Sequence, residues 1–242
     1  MGPEEISRAL AGIPHMAPDQ GREIFDFVRE HGLRNCLELG FAHGVGTAYL
    51  AAAVSAFEGG TVATVDLESA RERRPDIYTT LTRAGVNAGI VQIFFEPTSY
   101  TWRMMKFLQA GRGESFDFIF IDGAHSWFVD GFAFFLAERL LRPGGWILFD
   151  DLNWRFSYPE MVRSCDWVQN MPAEEKDTPQ VRMIWDLLVK AHPSFDFLVE
   201  KGNWAYARKA LGISHTKIVY QYHPLLTAVI DLKNYIRWHL AR

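Results

Sequence analysis

Five short apolar segments, the first followed by glycine and the other four by an acidic residue, alternate along the chain with stretches whose apolar residues recur at helical spacing. The predicted strands cover residues 35–39, 61–65, 90–95, 116–121 and 146–149. The predicted helices cover residues 19–31, 46–57, 68–86, 102–110 and 127–141. Strands and helices that alternate in this way are typical of a parallel sheet covered on both faces. We therefore predict a doubly wound α/β fold with a mostly parallel sheet.

Composition and charge exclude several classes of protein. Among 242 residues, Lys and Arg number 25 and Asp and Glu 29, which gives a net charge of −4. Such mild acidity argues against a protein that tracks the phosphates of nucleic acid. No apolar run approaches the ~20 residues of a membrane-spanning helix, and the acidic N-terminus lacks the layout of a signal peptide. We expect a cytoplasmic protein that acts on a small molecule and binds neither nucleic acid nor membrane.

The regular alternation ends after residue 151. Residues 152–179 combine aromatic side chains with three prolines, which predicts an irregular aromatic flap. A helix is predicted over 181–191, and strands over 195–199 and 204–208 form a β-hairpin. The tail over 224–240 is amphipathic, and its apolar stripe either mediates a homodimer or docks on its own domain. We expect one domain over 1–210 and a C-terminal helical extension over 211–242.

A glycine-containing turn follows the first strand. Residues 38–47 read Glu-Leu-Gly-Phe-Ala-His-Gly-Val-Gly-Thr, and such a turn brings backbone and a helix N-terminus close to a ligand. The dinucleotide pattern G-x-G-x-x-G is incomplete after Gly44, since Tyr49 stands where the third small residue is needed. Glu38 suits a cationic cofactor better than a pyrophosphate. Asp66, at the end of the second strand, is placed to accept hydrogen bonds from ribose hydroxyls.

Several motifs together resemble the class I S-adenosylmethionine-dependent methyltransferases. They are Glu38-Leu39-Gly40 with Gly44, Asp66, residues 118–123 and Arg142-Pro143-Gly144-Gly145. Asp122-Gly123-Ala124-His125 and the pair Asp150-Asp151 resemble the metal-dependent O-methyltransferases, above all those that methylate sugars and other natural-product scaffolds. The resemblance covers about residues 17–210 and implies a Rossmann-like methyltransferase fold. Ala42 departs from the pattern, because many members have glycine there.

The resemblance and the turn chemistry together predict the cofactor site. We expect S-adenosylmethionine to be bound by residues at the carboxyl ends of the first four strands. These residues are Glu38, Gly40, His43, Gly44, Thr47, Asp66, Ser99 and Asp122.

Three carboxylates at the ends of neighbouring strands predict a metal site. Asp122, Asp150 and Asp151 would repel one another unless a cation lay between them. Oxygen ligands without cysteine favour Mg²⁺. Two alternatives stay open: Asp151 caps a following helix and only Asp150 faces the site, or Asn153 replaces one of the ligands.

His125 is the predicted catalytic residue. A neutral imidazole can remove a proton from a hydroxyl near pH 7, and a metal on that hydroxyl makes the transfer easier. The alternative is that His125 caps the helix that follows it.

These observations predict a Mg²⁺-assisted O-methyltransferase that acts on a hydroxyl of a small molecule. The alternatives are a metal-independent O- or N-methyltransferase and a catalytically silent cofactor-binding or scaffold protein. A nicotinamide oxidoreductase is disfavoured by the incomplete glycine pattern.

Overall fold

The computed structural model describes residues 2–212, in which seven strands form one sheet. The strands are β1 (Asn35–Leu39), β2 (Thr61–Leu67), β3 (Val91–Glu96), β4 (Phe116–Ile121), β5 (Leu141–Phe149), β6 (Phe195–Lys201) and β7 (Trp204–Lys209). Their order is β3-β2-β1-β4-β5-β7-β6. The first five strands pair in parallel, and β7 lies antiparallel between β5 and β6. The predicted doubly wound α/β fold with a C-terminal hairpin is confirmed.

Helices cover both faces of this sheet. They are α1 (Pro3–Ala9), α2 (Pro18–Glu30), α3 (Val45–Val54), α4 (Ile77–Ala84), α5 (Tyr100–Gln109), α6 (Trp127–Leu140), α7 (Glu160–Arg163), α8 (Asp166–Gln169), α9 (Ala173–Asp177) and α10 (Gln180–Ile184), which continues as a π-helical turn over Trp185–Val189. Alternate residues of β4 explain the two layers. Phe118 and Phe120 join a core cluster with residues of α2 and α3. Ile119 and Ile121 join a cluster with residues of α5 and α6 on the other face.

The predicted helix over 68–86 is wrong in its first half. Glu68–Glu72 forms a short 3-10 turn, and α4 begins only at Ile77. Pro75 explains the break, because proline lacks an N–H group and keeps the residue before it out of the helical conformation. Asp76 then caps α4 by accepting a hydrogen bond from the Thr79 N–H at 2.8 Å.

Some segments carry more structure than the sequence predicted. The aromatic flap over 152–179 contains the short helices α7, α8 and α9, and α1 was not predicted. In the described part of the chain, none of the helices has the length and apolar character needed to cross a membrane. The predicted tail helix and the homodimer it would form lie outside the described residues.

Candidate active site

The polar residues predicted to act together lie at the carboxyl edge of the sheet, around β1, β4 and β5. β1 and β4 are neighbours, so the strand order reverses between them. Ligands of open parallel sheets bind at such a switch point. A large cavity of about 580 Å³ lies elsewhere, beside α2 and strands β5–β7, and none of the predicted site residues lines it. The chemistry therefore places the candidate active site at the carboxyl edge.

The glycine turn packs directly against the end of β4. Gly40 has a φ of +93°, and a Cβ there would overlap the carbonyl oxygen of Asp122. Gly44 has a φ of +86° and is the N-cap of α3. Ala42 adopts a φ of +48°, which costs an alanine roughly 1–2 kcal/mol. Its N–H group donates to Asp66 Oδ2 at 2.8 Å, a hydrogen bond that offsets part of this cost.

Glu38 is a fully buried carboxyl group beneath this turn. Its Oε2 accepts hydrogen bonds from the hydroxyls of Thr47 at 2.5 Å and Thr64 at 2.6 Å. Its Oε1 faces Gly46, where a Cβ would come within 2.5 Å. Burial raises the pKa of Glu38 from 4.5 to about 7. The absence of a side chain at Gly46 allows the Glu38 carboxyl to lie directly against the turn, where a cationic group of a ligand would be bound.

We expect stability to depend on pH through Glu38. Its pKa is higher in the folded chain, so the folded state holds the proton more tightly, and this contribution weakens as pH rises from about 4.5 to 7. Between pH 4.5 and 8 the free energy of unfolding should fall about 3 kcal/mol further in the parent than in Glu38→Gln. Urea unfolding of both proteins across this range measures the difference. Parallel pH profiles would contradict a raised pKa at Glu38.

Three further predicted cofactor residues have structural partners. Asp66 Oδ2 also accepts the Phe41 N–H at 3.1 Å, so this carboxylate holds the glycine turn against β2. Nδ1 of His43 donates to the carbonyl oxygen of Pro75 at 2.7 Å. Ser99 caps α5 by accepting the Thr101 N–H at 3.1 Å. Their predicted contacts with a cofactor stay predictions.

Asp122, His125 and Asp151 converge at the ends of β4 and β5. One ligand atom from each side chain lies within 4.8 Å of the other two, as in a site that could hold a metal ion. Asp151 has a φ of +55° and His125 a φ of +54°, so the chain leaves the extended form at both residues. Burial, and then the charges of Asp150 and Asp151, raise the pKa of Asp122. A cation among these groups would relieve that repulsion.

His125 forms a hydrogen bond with Asp151. Its Nε2 donates to Asp151 Oδ2 at 2.9 Å, which leaves the lone pair of the neutral ring on Nδ1. Burial lowers the pKa of His125 to about 4, so the imidazole is neutral at pH 7. The ring also packs edge-on against Trp154, with 4.9 Å between centroids. This arrangement provides an oriented proton acceptor beside two carboxylates.

The structure excludes the alternative in which His125 or Asp151 caps a following helix. Ser126, and not His125, is the N-cap of α6. Asp151 is followed by turns, and the next helix begins only at Glu160.

Asp150 is a buried carboxyl group at the end of β5. Its Oδ1 accepts hydrogen bonds from the Trp204 indole and from the Asp151 N–H, both at 2.5 Å. The predicted ligand set of Asp122, Asp150 and Asp151 stays a prediction. His125 lies close to Asp122 and Asp151, and the charges of both Asp150 and Asp151 contribute to the raised pKa of Asp122 after burial.

Sequence reasoning missed Asp130, in the first turn of α6. This fully buried carboxyl accepts hydrogen bonds from the Tyr100 hydroxyl and, at 3.1 Å, from the Ser126 N–H. The same hydroxyl accepts the Ala124 N–H at 3.3 Å. Asp130 and Tyr100 thereby fix the loop that carries His125. A carboxylate within the apolar first three turns of α6 is the signal that could have identified it.

Residues ahead of α2 also belong to this region. Pro14, His15 and Met16 line a small cavity together with Glu38, Gly46 and other residues of the turn. The His15 ring stacks on His43, with centroids 5.5 Å apart. The sequence carried no motif in this segment, so its place beside the turn was not predicted.

The segment that contains most of these residues is similar to a known protein family. Residues 37–152 match the family model described as a methyltransferase domain. We refer to this matched segment as the methyltransferase domain. It extends from β1 to Leu152 and so contains the glycine turn, Asp66, Asp122, His125 and Asp151. The prediction of a methyltransferase is confirmed. The match covers just under half of the chain and does not include the β6–β7 hairpin. No curated protein matches the chain.

Solved structures resemble the methyltransferase domain and its surroundings. The O-methyltransferase from Bacillus cereus in complex with S-adenosylhomocysteine has a TM-score of 0.61 and 23% identity, over 85% of this chain and 90% of that one. TomG, an O-methyltransferase from Streptomyces achromogenes involved in tomaymycin synthesis and bound to S-adenosylmethionine, has a TM-score of 0.62 and 18% identity, over 86% and 89%. A methyltransferase from Podospora anserina, bound to S-adenosylhomocysteine, has a TM-score of 0.57 and 17% identity, over 85% and 86%. These likenesses confirm the fold.

Proposed function

We propose that this chain is an S-adenosylmethionine-dependent O-methyltransferase that methylates a hydroxyl of a small molecule with the help of Mg²⁺. The observation that carries the proposal is the convergence of Asp122, His125 and Asp151 beside the glycine turn of a methyltransferase domain. The similarity to O-methyltransferases supports oxygen as the acceptor atom. A relative that is involved in tomaymycin synthesis supports a natural-product scaffold as the acceptor.

The residues of the turn fit the proposed cofactor. S-adenosylmethionine carries a cationic amino group and a sulfonium, and it supplies the methyl group. Glu38 offers a buried carboxyl directly beneath the glycine turn, packed against Gly46. The backbone of residues 40–44 is held in turn conformations by Gly40, Gly44 and Asp66. The task of these groups is to bind and orient the cofactor, since methyl transfer requires in-line alignment of the acceptor oxygen.

The carboxylates fit Mg²⁺, which prefers oxygen ligands. Asp122, Asp150 and Asp151 would hold the ion, and a bound divalent cation lowers the pKa of a nearby hydroxyl. His125 accepts the hydroxyl proton at Nδ1, because its Nε2–H is committed to Asp151. With a pKa of about 4 the ring is always unprotonated at neutral pH but weakly basic, so it needs an acidified hydroxyl. Trp154, packed against His125, helps to exclude water from this reaction.

The hydrogen bond between His125 and Asp151 favours one second candidate, a metal-independent methyltransferase. A carboxylate that orients a histidine base is sufficient for proton removal in other active sites. In this alternative Asp122 and Asp151 bind no ion, and turnover is unaffected by a chelator.

Calorimetric titration with S-adenosylhomocysteine tests the cofactor. We expect micromolar binding by the parent and about tenfold weaker binding by Asp66→Ala, because that variant loses charge-assisted hydrogen bonds that hold the turn. Asp19→Ala, a change in the first turn of α2, is the matched control and should bind as the parent does. A folded parent that binds no S-adenosylhomocysteine would overturn the proposal.

A further inference from the structure

The turn of the β6–β7 hairpin lies against the acidic end of β5. β7 runs antiparallel to β5, with Phe149 opposite Ala205. The residues just before Ala205 therefore lie beside those just after Phe149. Trp204 reaches Asp150 in this way, and Asn203 reaches Asp151. The hairpin belongs to neither the glycine turn nor the segment that matches the methyltransferase family, yet it contacts both aspartates.

Asn203 makes three hydrogen bonds around Asp151. Its Nδ2 donates to Asp151 Oδ1 at 2.8 Å. Its Oδ1 accepts the Asn153 N–H at 2.8 Å, and its backbone carbonyl accepts the Leu152 N–H at 2.9 Å. One residue thus holds the Asp151 carboxylate and the two peptide groups that follow it.

These contacts stabilise a conformation that Asp151 does not favour by itself. A φ of +55° is unfavourable for a residue with a Cβ, although aspartate tolerates it better than most. The hydrogen bonds of Asn203 to residues 151–153 surround this bend. With Oδ1 held by Asn203, the other oxygen, Oδ2, is directed to His125. The orientation of the carboxylate between Asn203 and His125 is therefore fixed from both sides.

We propose that Asn203 is a positioning residue that orients Asp151 for cation binding and for its hydrogen bond with His125. The proposal rests on the proposed function, because it assigns Asn203 a role toward the same ion. Groups that hydrogen-bond a metal-ligating carboxylate typically change metal affinity 10- to 100-fold when removed, so about that loss is expected here. In this role Asn203 acts through Asp151 and is not itself a ligand of the ion.

Binding of Mn²⁺, an electron-paramagnetic stand-in for Mg²⁺, measures this role without reference to turnover. In the full chain, Asn203→Ala should bind Mn²⁺ about 10- to 100-fold more weakly than the parent and bind S-adenosylhomocysteine equally well. Asn87→Ala is the matched control: it removes an asparagine whose Oδ1 accepts one loop N–H, that of Gly89, at 2.9 Å. This control should leave Mn²⁺ affinity unchanged. If Asn203→Ala does not fold, Asn203→Ser, whose hydroxyl is too short for the contact with Asp151, replaces it.

The outcomes separate this proposal from the proposed function. Parent-like Mn²⁺ affinity in Asn203→Ala would overturn the role of Asn203 and leave the metal-assisted reaction standing. Equal losses in Asn203→Ala and Asn87→Ala would also overturn it, since they would indicate a general loss of stability. A parent that binds no Mn²⁺ would overturn the metal site, and with it the role of Asn203, while S-adenosylhomocysteine binding would still support a methyltransferase.

Discussion

Replacing His125 by alanine should lower turnover by about 10²- to 10⁴-fold, the usual contribution of a positioned proton acceptor. The physical reason is the committed hydrogen bond of Nε2 to Asp151, which leaves Nδ1 as the acceptor atom. Steady-state kinetics with a hydroxyl-bearing acceptor measures the loss. The affinity for S-adenosylhomocysteine should stay within about twofold, since His125 lies at the end of β4 and outside the glycine turn.

The same variant distinguishes a base from a metal ligand. A base that hydrogen-bonds Asp151 predicts a loss of Mn²⁺ affinity no greater than the ~10- to 100-fold expected of Asn203→Ala, whereas a direct ligand predicts a larger loss. His31→Ala is the matched control, because His31 is an exposed histidine at the end of α2, away from the carboxyl edge. It should retain full turnover. Full turnover in His125→Ala itself would remove His125 from the reaction.

Chelation by EDTA should reduce turnover at least about 100-fold, because a catalytic cation supplies several kcal/mol of charge stabilisation. Addition of excess Mg²⁺ should restore the activity. Burial, and then the charges of Asp150 and Asp151, raise the pKa of Asp122. A bound cation would offset the repulsion among these carboxylates, so its removal should disturb the site. Turnover measured in EDTA, and again after Mg²⁺ is returned, tests the prediction.

A matched variant strengthens the chelation experiment. Asp122→Asn keeps the size of the side chain and removes one charge, so it should need a higher Mg²⁺ concentration for half-maximal activity. Undiminished turnover of the parent in EDTA would instead favour the metal-independent reaction, in which Asp151 only orients His125. Either result decides between the two proposed reactions.

The fold could be predicted because its signals are periodic and local. The β4 sequence Phe116–Ile121 is apolar except for Asp117, as is typical of a strand buried on both faces, and Gly40 and Gly44 occur where positive φ is needed. The prediction of one helix over 68–86 was wrong because Pro75 interrupts the helix, although the residues on both sides of it have helical spacing. Local pattern thus located the strands better than the ends of the helices.

The site could be predicted only in part. Asp122 and His125 follow a strand directly, so topology alone brings them to the carboxyl edge. The approach of His125 to Asp151 depends on positive φ values at both residues, which no pattern of non-glycine residues reveals. The contacts of Asn203 and Trp204 depend on a strand that pairs more than 50 residues later in the chain. Long-range pairing of this kind leaves no local signal.

The late position of the hairpin has a consequence for how the protein is made. Asn203 and Trp204 follow Asp151 and Asp150 by 52 and 54 residues. At ~5–20 residues per second, a ribosome exposes the two aspartates several seconds before it delivers their partners. A nascent or truncated chain that stops before Asn203 contains every motif of the methyltransferase domain and yet lacks the contacts that shape Asp150 and Asp151. The segment that identifies the family is therefore shorter than the segment that completes the site.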